Sequence, residues 1–190
     1  MANAIIRQNT RILTPREYRL LRENLNAKYQ VICDVLLNTG MRVEEFWDLV
    51  DHPQWYDPVR HCIDLPKGAV KKVKAVYQER TIFLTPDGCD AVKVLFSLKD
   101  SIRRTSRVNM GFALKRGAAA AHIDPQGIVP KMFRKTLVSW LIACFPDRSF
   151  QVSASIGHEL ETMRRHYANL GFQQRDVEEM QKFLQGWGKT

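Results

Sequence analysis

"SASIGHELETMRRHYANLG", residues 153–171, sets Gly157-His158 nine residues ahead of Tyr167, with Arg164 and Arg165 beside the phenol. Read in isolation, the stretch is an amphipathic helix that contains a tyrosine, with a histidine capping the turn before it. What lies around it decides between that reading and a chemical one. Among 190 residues, Lys and Arg number 29 and Asp and Glu 20, an excess of nine positive charges. Such an excess suits a polyanionic partner. Nucleic acid fits better than a membrane surface, because no basic amphipathic helix stands alone at a terminus.

The chain is long enough for one domain with a real core, and 45% of its residues are hydrophobic, which argues against disorder. No apolar run approaches the length of a membrane span, and the opening "MANAIIRQNTR" has no signal-peptide core. Cys33, Cys62, Cys89 and Cys144 lie far apart, form no CxxC and sit near no histidine cluster. Neither a zinc site nor a disulfide framework is indicated, and a reducing cytoplasm is the compartment this implies.

Working outward, a short helix precedes Gly157 and another carries Tyr167. Upstream, Pro130 opens the apolar helix "KMFRKTLVSWLIACF", which Pro146 closes. Downstream, "RDVEEMQKFLQ" is a last amphipathic helix before Gly186. Its stripe of Val177, Met180, Phe183 and Leu184 must be buried, either on its own domain or on a neighbour. At the other end, a polar start leads into "LTPREYRLLRENLN", a helix with Thr14 as N-cap and Pro15 in the first helical position. "YQVICDVLLNTG" is an apolar helix stopped by Gly40, and "RVEEFWDLV" resumes the helical period. "VRHCIDL" (59–65) and "QERTIFL" (78–84) alternate like strands, joined by the basic linker "PKGAVKKVKAVY". Thr85-Pro86 starts a helix through about Lys99, "DSIRRTSRVN" is a basic connector, and "MGFALKRGAAAAH" is helical. The fold class expected is mainly α with one small antiparallel β-sheet (α+β), as a single domain over residues 1–190.

Four local patterns bear chemistry. In "TGMRVEE", Arg42 opens a helix where its guanidinium can grip a phosphate bidentately, and Glu45 one turn on can hold it there. A surface ion pair is the plainer reading of the same spacing. The linker carries Lys67, Lys71, Lys72 and Lys74, mostly solvated charge, from which a mobile lysine could reach a ligand. In "PKMFRKT", Lys131 and Arg134 are i,i+3 on an otherwise apolar helix. A charge placed there needs a cleft, an acidic group or a buried salt bridge. The fourth pattern is Gly157-His158 with Tyr167. In order, Arg…Lys…Lys-x-x-Arg…Gly-His…Tyr is a phosphoryl-transfer set. Arginines neutralise the non-bridging oxygens, tyrosine attacks, lysine protonates the departing sugar oxygen, and histidine bonds the phosphate. Clustered carboxylates of the kind a two-metal nuclease needs do not occur.

This order and these spellings resemble the tyrosine recombinase (integrase) family over nearly the whole chain, from "RILTPREY" to "HYANLGF". The family's T-G-x-R-x-x-E context falls on Arg42, its H-x-x-R box on "KMFR" with Arg134, and its L-G-H box on Ile156-Gly157-His158, nine residues before the nucleophile position, Tyr167. The box histidine is Lys131 here, a residue that some members carry. For the catalytic lysine the linker offers Lys74, nearest the second strand, with Lys67 and Lys72 behind it. The resemblance implies double-stranded DNA as substrate and a covalent 3′-phosphotyrosine intermediate, with no cofactor, metal or membrane partner. It implies recombination, as in viral or plasmid integration and excision, by protomers that are monomeric when free and form a tetrameric synapse on DNA. It also implies a catalytic domain without the amino-terminal core-binding domain usual upstream, and a last helix that docks on an adjacent protomer. Type IB topoisomerase-like nicking and closing is the alternative with the same chemistry. A non-catalytic DNA-binding regulator on a decayed scaffold is the alternative without it.

Overall fold

The computed structural model describes residues 4–69, 79–157, 161, 163 and 170–188. Thr14 starts the first helix as its sequence requires. Its hydroxyl accepts from the Glu17 N–H at 3.2 Å, and the Glu17 carboxylate accepts from the Thr14 N–H at 2.9 Å. With Pro15, which has no N–H, in the first position, α1 (Pro15–Glu23) begins with a complete capping box. Asn26 caps α2 (Ala27–Thr39), which ends at Gly40 in the left-handed region. Next come α3 (Val43–Asp51), α4 (Pro86–Leu98) behind Thr85, and α5 (Arg107–Ala120) behind Ser106. The Ser106 cap draws α5 back into what the sequence suggested was connector. The apolar helix is α6 (Met132–Cys144), followed by α7 (Ser149–Ile156) and α8 (Gln174–Phe183).

The strand pattern differs from expectation at three points. Strands β4 (Cys62–Leu65) and β5 (Arg80–Phe83) form the expected antiparallel pair, with Ile63 opposite Ile82, and an unexpected short strand, β3 (Tyr56–Asp57), pairs with β4. Residues 59–61, however, form a turn. The Asp57 carboxylate accepts from the Val59 and Arg60 N–H groups, both at 2.9 Å, and this local capture outcompetes strand pairing. There is also a second sheet. Strands β1 (Ile5–Arg7) and β2 (Thr10–Ile12) pair across Gln8 and Asn9, which take φ of +50° and +54°. The expected polar start is therefore a hairpin, and the described chain is α+β with two small antiparallel sheets.

Helices α2 and α6 pack on each other in the core, and Ile32 and Leu36 of α2 and Val138 and Leu141 of α6 are fully buried. The hairpin is pinned to α6: the Leu13 N–H donates to Thr136 Oγ1 at 3.0 Å, and Trp140 Nε1 donates to the Leu13 carbonyl at 2.9 Å. Helix α8 packs on the same domain. Met180 and Leu184 are fully buried, and Phe183 stands edge-on to Tyr18 and Trp140. Beyond it, Trp187 lies against Phe83 and Phe145. Of the two destinations open to the α8 stripe, its own domain is the one observed. Among the described residues no helix is long and apolar enough to cross a membrane.

Candidate active site

The site forms where α2 stops, α3 starts and α7 ends. Gly40 ends α2 with φ +63°, which lets the chain reverse into Arg42, the N-cap of α3. A Cβ on Gly40 would sit 2.7 Å from Ile156 Cδ1 and 3.1 Å from Leu137 Cδ2. The end of α2 is thus pressed directly on the last residue of α7 and on α6.

Arg134 closes this junction. Its side chain comes from α6 and is buried, donating from Nη1 to the Gly40 carbonyl at 2.8 Å and from Nη2 to the Ile156 carbonyl at 2.5 Å. Both acceptors lie at helix C-terminal ends, where carbonyls lack helical partners and a cation is favoured. The sequence called for a cleft, an acid or a buried salt bridge. Among the described residues two backbone carbonyls accept from it, and the Glu45 carboxylate lies near enough to feel its charge.

Glu45 lies under Arg42 rather than on the surface, with its side chain 1% exposed. One oxygen accepts from the Arg42 backbone N–H at 2.8 Å and from Arg80 Nη2 at 2.6 Å; the other accepts from Arg42 Nη1 at 2.5 Å. Burial pushes the Glu45 pKa up, but Arg80, Arg134 and Arg42, with the Arg42 N–H, outweigh it and hold the carboxyl below its usual range. Three guanidinia around one carboxylate leave two net positive charges. Exposure divides their roles: the Arg42 side chain is 30% exposed and Arg80 only 2%. Arg42 is the one that reaches outward.

Arg80 was not singled out from the sequence. The signal was the period of β5: Arg80 and Ile82 share a face, and both are buried. An arginine on the inward face of a strand requires an acid, and Glu45 supplies it. Arg80 also supports Gly157, which takes φ +69° after α7, because a Cβ there would meet Arg80 Nη1 at 3.0 Å and Cδ at 3.2 Å. Only a glycine lets the chain turn toward His158 over that guanidinium.

Lys131 is the exposed N-cap residue of α6, one turn before Arg134. With Arg107 and Lys115 of α5 it borders a shallow groove whose floor includes the exposed Val108 and Phe112. Lys67 is exposed in the turn after β4. Lys74, His158 and Tyr167, with Lys71, Lys72, Arg164 and Arg165, lie outside the described residues. The structure thus brings Arg42 and Arg134 together around Glu45 and beside Gly157, and sets Lys131 on the α5 groove. In the basic segment 103–107, Arg104 pairs with Asp51 at 3.4 Å and Arg107 with Glu44 at 3.8 Å, so part of that charge is met by α3. Among the described residues no group of three or more His, Cys, Asp or Glu is arranged to hold a metal ion.

Two of the described tyrosines, Tyr18 and Tyr56, are held in their neutral form. Tyr18 is buried and donates to Asp34, which Arg22 also grips, and burial followed by the Asp34 charge raises its pKa well above the ordinary value. Tyr56 is also raised, by burial and then by the nearby Cys89 thiol.

The fold is that of solved tyrosine recombinases. XerA recombinase superposes with a TM-score of 0.66 at 16% identity, covering 97% of this chain and 67% of its own. The Tn1549 transposon integrase bound to circular intermediate DNA gives 0.65 at 18% identity, covering 90% of this chain and 66% of its own. The same integrase with transposon right-end DNA gives 0.66 at 19% identity, covering 90% and 65%. The chain therefore spans about two thirds of the length of these solved chains. No family model matches the sequence, and no curated protein matches it by sequence.

Proposed function

We propose that this chain is the catalytic domain of a site-specific DNA recombinase that cuts and rejoins duplex DNA through a covalent tyrosine intermediate. The observation that carries the reading is the convergence of Arg42 and Arg134 around Glu45, next to the Gly157 turn that leads to His158. Two excess positive charges on a rigid frame suit a pentacoordinate phosphate, whose non-bridging oxygens gain charge in the transition state. The fold shared with an integrase solved on DNA supports the same substrate.

In this reading the Tyr167 oxygen attacks the scissile phosphorus while Arg42 and Arg134 neutralise the equatorial oxygens and His158 donates a hydrogen bond to one of them. Lys74 protonates the leaving 5′-oxygen, and Lys131 assists at the phenolic proton. One phosphate ester replaces another, so the bond energy is kept in a 3′-phosphotyrosyl link and no nucleotide cofactor is needed. A 5′-hydroxyl from another strand reverses the step. Protomers that are monomeric when free assemble on DNA, as a tetrameric synapse, to exchange strands.

The test is a suicide substrate, nicked duplex DNA from which the cleaved strand diffuses away. The wild-type chain should accumulate a covalent adduct on it, and Tyr167→Phe should bind the DNA equally well and form none. An adduct on that variant moves the nucleophile elsewhere. Binding without any adduct in the wild type favours the regulator. Relaxation of supercoiled DNA without strand exchange favours a topoisomerase.

A further inference from the structure

Arg80 is as deeply buried as Arg134, whereas Arg42 is part-exposed, and it is costly to keep. Its side chain is 2% exposed, and among the described residues its Nε and Nη1 have no hydrogen-bond partner. Buried donors left unmade are unfavourable, and a buried ion pair adds little stability over a well-packed apolar replacement. Stability is therefore a weak account of its presence, and the geometry supplies a stronger one. Arg80 Nη2 bonds the same Glu45 oxygen that accepts from the Arg42 backbone N–H, while the other oxygen holds the Arg42 guanidinium. Its stem and Nη1 form the surface over which Gly157 turns. It also opens β5, the strand reached through the lysine-rich linker. One side chain thus touches or begins the three segments that carry Arg42, His158 and the candidate lysines.

We propose that Arg80 is a positioning residue for phosphate cleavage: it fixes the Glu45 carboxylate, and through it the Arg42 guanidinium, without touching the DNA. This deepens the recombinase reading and rests on it. With Nη2 on Glu45 and its stem under the Gly157 turn, Arg80 acts through the rotamer and charge of Glu45. The charged groups facing Glu45 are Arg42 from the start of α3, Arg80 from β5 and Arg134 from α6. Without Arg80 the carboxylate keeps its burial and loses its nearest buried counter-charge, so it takes up a proton at higher pH and releases Arg42.

The experiment uses the full chain with Arg80→Met, Arg80→Lys, Glu45→Gln and the Arg80→Met/Glu45→Gln double variant. Single-turnover adduct formation on the suicide substrate is followed from mildly acidic to alkaline pH. DNA affinity and melting are measured beside it, and the Glu45 carboxyl carbon is titrated by NMR in the DNA-free wild type and Arg80 variants. Arg80→Met should slow adduct formation roughly ten- to a hundredfold, short of the ~100–1,000-fold loss of a donor that meets the developing charge itself. Its acid limb should move to higher pH, DNA affinity should hold, and Arg80→Lys should lie between. Adding Arg80→Met to Glu45→Gln should cost little more, because both act through one carboxylate.

A wild-type rate and acid limb in Arg80→Met would overturn the proposal, as would full additivity with Glu45→Gln or a Glu45 titration that does not move. A variant that only melts earlier, cleaving normally below its transition, would reduce Arg80 to structure. Should Arg80→Met fail to fold, Arg80→Lys carries the same readouts. A wild-type chain that forms no adduct would instead sink the recombinase reading. The Glu45 titration then still decides whether Arg80 governs the carboxylate.

Discussion

Arg42 and Arg134 serve one site but are held in different ways, and their removal should be felt differently. Arg42 is part-exposed and bonds Glu45, which keeps Arg80 when Arg42 is gone. Arg42→Ala should therefore change stability by no more than about 1 kcal/mol. Arg134→Ala orphans two buried carbonyls at helix ends, at about 1–3 kcal/mol each. Both should slow adduct formation by roughly 100–1,000-fold. Urea denaturation beside single-turnover cleavage separates the two effects. An Arg134→Ala protein as stable as wild type would mean that Gly40 and Ile156 find other donors. The contact between Arg42 and Glu45 was legible in the sequence because it spans one helical turn. The partners of Arg134 were not, since they lie 94 and 22 residues away and are backbone atoms that any sequence carries.

At the scale of elements, the junction of α2 and α7 depends on the absence of a side chain. Gly40→Ala meets two penalties: a left-handed backbone, at about 1–2 kcal/mol, and a Cβ 2.7 Å from Ile156 Cδ1. Ile156→Val removes that methyl and by itself costs about 0.5–1.5 kcal/mol. Combined with Gly40→Ala it should recover the steric share, leaving the pair about 1 kcal/mol more stable than the sum of the singles. Chemical denaturation of the four proteins completes the cycle, and strict additivity would show that α7 shifts freely to make room. Elements announced by side-chain caps, such as Thr14 and Thr85, could be read directly. The β1–β2 hairpin could not, because its turn is Gln8-Asn9 rather than a glycine pair, and three-residue strands leave no period to detect.

For the whole molecule, the C-terminal segment is a wall of the core. Truncation after Gly171 removes the buried Met180, Leu184 and Trp187 and uncovers Tyr18, Trp140 and Phe83. At about 1.5–3 kcal/mol per buried large side chain, the loss rivals the ~5–15 kcal/mol that holds a domain together. The truncated chain should show no cooperative melting by circular dichroism. A truncated chain that melts sharply would put α8 outside the core and free it for a neighbouring protomer. The sequence showed that the α8 stripe needed a surface. Which surface followed only from the aromatic faces that α1, α6 and β5 present once folded.

The Arg134 bonds have a consequence for the newborn protein. Synthesis makes Gly40 first, Arg134 94 residues later and Ile156 22 residues after that. A chain still on the ribosome can build α2 and α3 and expose much of its positive charge. The guanidinium that would meet a phosphate cannot be clamped until α7 has emerged. On the recombinase reading, cutting competence would arrive in one late step, whereas the positive charge grows gradually with length. On the same reading, a stalled or nicked product would carry the charge that attracts DNA without the means to break it.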